Sequence, residues 1–223
     1  MNFVEYPDRE LMMFSLADKL ASDLNLALRQ NDRVSLSVPG GTTPGPVFDV
    51  LSGVKLEWNR VTVFLNDERW VPETSDRSNG RLLRGRLLKG EASAATFVPL
   101  YVDTPEPEIA LDTLAAAVSP HLPISVLLLG MGADMHTASI FPGADRLADA
   151  LAPDAPILMP MRAPGAPEPR VTLTARVLAD AMAIHILITG NEKREALERA
   201  QRLPVEEAPV RAVLANATVH WAA

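Results

Sequence analysis

Apolar positions along the chain fall into two periods, and the alternation between them sets the expected architecture. Between residues 8 and 30, Leu11, Phe14, Leu16, Leu20, Leu24 and Leu28 recur at helical spacing, predicting a long amphipathic helix with these side chains on one broad apolar side. Residues 34–38 form a short apolar run of strand length that ends at Pro39-Gly40-Gly41. Thr43-Pro44 then reads as a helix start, with Thr as N-cap and Pro in the first turn, and Gly53 as the stop. A second apolar strand covers 61–65, Ser78 caps a helix through Leu88 with Gly90 after it, and 97–101 is a weaker strand. Residues 106–118 read as helix, and 124–129 is the most strand-like run, broken at Gly130. Further strands are expected at 157–161, 171–174 and 183–189. A helix opens at Gly190-Asn191 and runs to about Arg202, and a short helix near 208–215 precedes a closing strand at 218–221.

Near-continuous apolar strands alternating with helices predict an α/β fold, a mainly parallel sheet covered on both faces. At 223 residues, the chain suits one domain spanning 1–223. In such folds ligands bind beyond the carboxyl ends of the strands. The polar clusters of this chain stand there: Gly40-Gly41-Thr42-Thr43, Asn66-Asp67-Glu68-Arg69, residues 130–136 and residues 190–193. Prolines gather around 153–169, which reads as a long irregular surface connection.

Composition narrows the functional classes. A net charge of −7 with no basic block argues against a nucleic-acid partner, and it means an anionic ligand must be held by a local cluster of donors. No apolar run approaches the ~20 residues that span a bilayer, and the N-terminal residues lack a secretory pattern, so no membrane partner is expected. Cysteine is absent, which removes disulfides and thiolate chemistry and fits a cytoplasmic protein.

Each polar cluster has a chemical reading beside a bland one. Pro39-Gly40-Gly41-Thr42-Thr43-Pro44 joins a strand to a helix; its glycines permit close backbone approach, and the helix start offers N–H groups to an anion. It can equally be a capped tight turn, and it is neither of the nucleotide-binding glycine motifs. Arg170 and Lys193 are candidate cations; Lys193 in a first turn opposes the helix dipole, so another benefit is implied. Asn66-Asp67-Glu68-Arg69 can point into a cleft, where Arg69 would hold an anion or a developing oxyanion, with Ser78-Asn79 adding donors, or it can be a solvated turn. In residues 127–139 an apolar strand meets glycines, then Asp134 two residues before His136, a pairing suited to removing a proton from water. His121, His136, His185 and His220 are too scattered for a metal site, and His185, inside an apolar strand, reads as core or interface. Ser139 lacks a nucleophile elbow.

Taken together, five blocks in order resemble the 6-phosphogluconolactonase family, which is related to the glucosamine-6-phosphate deaminases. They are residues 38–44; 64–72 with Ser78-Asn79; 129–143; 169–174; and 190–193. The resemblance implies a three-layer Rossmann-like fold of the NagB/RpiA/CoA transferase type. It implies hydrolysis of 6-phospho-D-glucono-1,5-lactone, in the pentose phosphate pathway or the Entner–Doudoroff route, without a covalent intermediate. By resemblance Gly40, Gly41, Thr42, Thr43, Asn79, Arg170 and Lys193 bind substrate, the loop and the two cations taking its phosphate. His136 is then the general base, Asp134 its orienting acid, and Asp67 and Arg69 border the lactone. No metal or cofactor is expected, and the protein would be a monomer or weak homodimer. Two positions depart from the family pattern: Met135 stands where Gly is usual, and Pro39 where Ser is usual. A deaminase would carry Asn-Glu-Pro where this chain has Phe141-Pro142-Gly143. A sugar-phosphate sensor and an enzyme made inert by Met135 are the other readings, the sensor disfavoured because the chain enters its first helix with no DNA-binding segment before it.

Overall fold

Strands form where consecutive residues are buried on both sides. Successive side chains of a strand point to opposite faces, and every residue of Val34–Val38 and Val61–Leu65 is buried, so both faces of the sheet are covered. The computed structural model describes residues 1–223. Its strands are β1 (Asn2–Glu5), β2 (Val34–Val38), β3 (Val61–Leu65), β4 (Asp67–Arg69), β5 (Thr96–Val98), β6 (Val126–Gly130), β7 (Leu158–Met161), β8 (Arg170–Leu173), β9 (Ala183–Thr189) and β10 (Ala217–Ala222). Its helices are α1 (Arg9–Gln30), α2 (Gly45–Leu51), α3 (Asn79–Arg86), α4 (Leu111–Val118), α5 (Leu147–Leu151), α6 (Ala175–Ala179), α7 (Asn191–Ala200) and α8 (Arg211–Leu214). One sheet of seven parallel strands runs β1-β10-β9-β6-β2-β3-β5, as the strand–helix alternation predicts. A second, antiparallel sheet, β4-β8-β7, was not foreseen.

The strand order reverses at β2. From there the chain moves outward through β3 and β5, then returns to β6 on the other side. Loops leaving β2 and β6 therefore diverge and open a crevice, the place where ligands sit in open α/β sheets. The two strands pair over only Leu36↔Val126 and Ser37↔Leu127. Asn66 fastens them above that point. Its side chain accepts from Ser37 Oγ at 2.7 Å and donates to the Leu128 carbonyl at 2.7 Å, fully buried.

Several local expectations need correction. The chain enters the fold through strand β1, not through the helix, and β1 is a partly exposed edge strand too short to register as a pattern. Helix α1 is as long as expected, with Asp8 capping it, but Leu11 and Phe14 are about half exposed (47% and 52%). Thr43 is not an N-cap: α2 starts at Gly45 with Pro44 in the capping position and no side-chain cap. The strand expected at 157–161 is present as β7, whose four residues are all buried, so the irregular connection is confined to the proline-rich residues on either side of it.

His185 is buried in the core, as its strand position suggested, within a chain of polar groups linking β1, β10 and β9 to α1. Tyr6 Oη lies 2.8 Å from His220 Nδ1, His220 Nε2 3.0 Å from His185 Nδ1, and His185 Nε2 2.9 Å from Asp23 Oδ2. Every ring nitrogen of the two histidines thus has a partner, the donor and acceptor roles following from the tautomer of each ring. Burial, then the neighbouring His185, pushes His220 down to about 4. The unfolded chain therefore takes up this proton first. The contribution of His220 is complete above about pH 6.5 and is lost as pH falls toward about 4, on the order of 3 kcal/mol. Thermal midpoints should drop more steeply between about pH 7 and pH 4.5 in the native protein than in His220→Gln. Equal slopes would show that His220 carries no such linkage.

Candidate active site

A cavity of about 210 Å³ occupies the crevice between the β2 and β6 loops. The β2 loop supplies Gly40, Gly41 and Thr43, the β6 loop Gly132 and His136, and the second sheet Asp67, Arg69 and Arg170; Asn79 and Lys193 enter from the first turns of α3 and α7. Thr42, expected among the substrate ligands, does not line this cavity; it borders a neighbouring groove with Arg9, Glu10 and Phe14, which Thr43 borders as well. Asp134 stands beside His136 but does not line the cavity. Nowhere do three His, Asp or Glu side chains converge to hold a metal ion.

The small sheet aims the charged strand end. In an extended segment alternate residues face opposite ways, so Asp67 and Arg69 reach the cavity while Asn66 and Glu68 turn inward. Glu68 is not a cavity residue. Its carboxylate accepts from the backbone N–H of Arg69, Asn79 and Gly80 at 2.7–2.8 Å and from Ser78 Oγ at 3.2 Å. It thus caps α3 from outside, a favoured place for negative charge, and sets Asn79 and Arg69 in register. Burial pushes the carboxyl up to about 7, against the pull of its N–H donors and with help from the Asp67 charge. Asn79 in turn accepts from Arg69 Nη1 at 3.1 Å and donates to the Asp67 carbonyl at 3.0 Å. A Cβ on Gly40 would overlap the Asn79 amide, so Gly40 is needed for this packing as well as for its backbone.

Arg69 and Arg170 are register partners across β4 and β8, placing two cations side by side. Like charges directly opposed on a sheet are unfavourable. Each guanidinium also has a buried Nε without a hydrogen-bond partner. Burial pushes Arg170 below its ordinary value; Asp67, 3.6 Å from its Nη1, pulls the other way, and Arg69 adds to the depression. Burial likewise lowers Lys193, which forms no ion pair with any carboxylate. A cavity holding such under-compensated cations is prepared for an anion.

The β6 loop fixes the imidazole. Met135 N–H donates to the Gly132 carbonyl at 2.9 Å and Gly132 N–H to the His136 carbonyl at 3.0 Å, closing a tight loop. Closure requires φ +67° at Met135, the left-handed region that favours glycine, at a cost of roughly 1–2 kcal/mol. The Met135 side chain packs on the core beside it. Asp134 Oδ1 meets both His136 Nδ1, at 2.5 Å, and the His136 backbone N–H, at 3.2 Å. Burial pushes the Asp134 carboxyl up, but the hydrogen bonds and charge of His136 outweigh it and hold it below the ordinary range. An ionised carboxylate only accepts, so Nδ1 carries a hydrogen, and Nε2, which has no protein partner, is left as the nitrogen that can exchange a proton with the cavity. The Phe141 ring packs against His136, tilted by 34° at 4.3 Å between centroids, and has the Arg170 guanidinium over it at 5.6 Å.

Sequence reasoning missed three residues that hold this site. Ser139 is fully buried and donates to Asp67 Oδ2 at 2.5 Å; its only signal was its place in the histidine block. Glu68 was visible only as one of four polar residues. Gly132 carries no signal by type, yet a Cβ there would overlap His136 Nδ1 and Asp134 Oδ1.

Comparison with known proteins gives a consistent result. The family model described as glucosamine-6-phosphate isomerases/6-phosphogluconolactonase matches residues 7–221. A 6-phosphogluconolactonase of Mesorhizobium japonicum is 42% identical, over 99% of this chain and 95% of its own. One of Rhizobium meliloti is 44% identical over 93% of each. Among solved structures, a 6-phosphogluconolactonase from Shewanella baltica superposes with a TM-score of 0.96 at 34% identity, covering 100% of this chain and 98% of that one.

Proposed function

The chain belongs to the glucosamine-6-phosphate isomerase/6-phosphogluconolactonase family, and we propose from that premise that it hydrolyses 6-phospho-D-glucono-1,5-lactone to 6-phosphogluconate. One observation carries the reading: a single cavity combines an imidazole with a free Nε2, oriented by a carboxylate, and three cations beside a glycine loop. The cations and the loop suit a phosphorylated substrate, and the imidazole suits activation of water.

The backbone of Gly40 and Gly41, Thr43, Arg170 and Lys193 take the phosphate. His136 Nε2 removes a proton from water as the oxygen attacks the lactone carbonyl carbon. The imidazolium formed is stabilised by Asp134. Charge developing on the carbonyl oxygen is met by Arg69, which Asn79 and the Arg77 carbonyl hold at 3.1 and 2.7 Å. Collapse of the tetrahedral species expels the ring oxygen, which takes the proton back from His136. The acid product then loses its proton to solvent. A phosphorylated lactone does not cross a bilayer, so this reading puts the protein in the cytoplasm with its substrate, working as a monomer or weak homodimer.

The deaminase reading fails on chemistry. Where that activity needs a carboxylate after the histidine, Phe141 places a ring against His136. The purified protein should accelerate opening of freshly prepared lactone beyond its spontaneous hydrolysis and release no ammonia from glucosamine 6-phosphate. Ammonia release, or no acceleration, would refute the assignment.

A further inference from the structure

Asp67 has no step in this reaction, yet it is the one carboxylate that lines the cavity. It is 6% exposed. Its Oδ2 is committed: Ser139 Oγ donates to it at 2.5 Å, and Arg170 Nη1 lies 3.6 Å away. Its Oδ1 accepts no hydrogen bond from the protein and is not among the polar atoms sealed from the cavity. Ser139 is itself locked, its N–H donating to Thr172 Oγ1 at 3.1 Å, so the carboxylate cannot turn freely to satisfy both oxygens within the protein.

An ionised carboxylate oxygen can only accept. A phosphate brought to it would meet like charge, whereas a neutral hydroxyl would supply the missing donor. We propose that Asp67 Oδ1 accepts a hydrogen bond from one ring hydroxyl of the lactone and is the specificity-determining residue for that position. The carboxylate then does two things. It selects hydroxylated over deoxygenated lactones, and it bars the phosphate from this part of the cavity, so that the anion settles on the glycine loop and the cations. Arg170 serves both ends, as counter-ion to Asp67 and as donor to the phosphate.

The inference rests on the lactonase reading, and a two-part experiment separates the two. kcat/KM is measured for the parent lactone and its 2-, 3- and 4-deoxy analogues with the native protein, Asp67→Ala and Asp67→Asn. A bond between a charged acceptor and a hydroxyl in such a site is worth about 10²-fold in discrimination. One deoxy analogue should lose that much with the native protein. Asp67→Ala should lose a similar factor on the parent and treat parent and that analogue alike, and Asp67→Asn, which keeps an acceptor, should recover part of the preference. Comparable rates for all three analogues and the parent with the native protein would overturn the inference whether or not the variants fold, leaving the lactonase reading intact. Absence of turnover on the parent would instead remove the lactonase reading and the inference with it.

Discussion

His136→Ala is expected to lower kcat by about 10²–10⁴-fold while leaving 6-phosphogluconate affinity little changed. The size follows from what the side chain does and does not touch. His136 lines the cavity and its Nδ1 is bound to Asp134, but no phosphate-facing cation hydrogen-bonds to it. Removing the ring therefore deletes the proton acceptor without dismantling the anion site. Asp134, held below the ordinary carboxylate range by its bonds to His136, stays ionised throughout the working range and keeps the proton on Nδ1. Asp134→Asn should also be impaired: an amide turned the wrong way donates to Nδ1 and forces the hydrogen onto Nε2, the atom that must accept. Steady-state rates on the fresh lactone and calorimetric binding of the product check both points. Near-native turnover in His136→Ala would move the base elsewhere.

The legibility of this molecule follows from which physical signals survive in one dimension. Buried parallel strands are continuous apolar runs, so β2, β3, β6 and β9 were readable, and with them the loops that bear the site. β4 was not, because its sequence is Asp-Glu-Arg. Its strand character comes from pairing with β8 and from the burial of Glu68 against the α3 N-terminus, both long-range facts. That one missing strand explains the errors around it. Four polar residues in a turn can all face the cleft; in an extended segment only Asp67 and Arg69 do, and Asn66 becomes the clasp between β2 and β6. Thr42 and Thr43 looked equivalent as donors, but past the turn before α2, whose Gly45 N–H returns to the Thr42 carbonyl at 3.2 Å, both border the neighbouring groove and only Thr43 also reaches the cavity. Leu11 and Phe14 fit the helical period of α1 and still lie at the surface, because periodicity reports a face and not where the neighbouring layer ends. Met135 shows the reverse case. The departure from glycine was visible in the chain, and the backbone found there is left-handed, the region a glycine would occupy without strain.

The second large effect is expected at a residue with no side chain. A Cβ on Gly132 would overlap His136 Nδ1 and Cε1 and Asp134 Oδ1. These atoms are the ends of side chains at a partly exposed loop, so the protein can yield there without disturbing its core. Gly132 is not in the left-handed region, so alanine adds no backbone strain at that position. Gly132→Ala should therefore fold with a thermal midpoint close to that of the native protein. What yields is the catalytic pair: the imidazole must swing off Asp134, toward the Phe141 ring or out of the cavity, and lose both its position and its fixed tautomer. Displacement by about 1 Å is enough to cost about 10²-fold in rate. The loss should appear in kcat, with affinity for 6-phosphogluconate preserved, because the phosphate ligands Arg170 and Lys193 come from β8 and α7 and not from this loop. Combined with His136→Ala, the alanine at 132 should cost almost nothing more, since the group it displaces is already gone. Additive losses in the double variant would mean that Gly132 acts on the cavity by some route other than the imidazole.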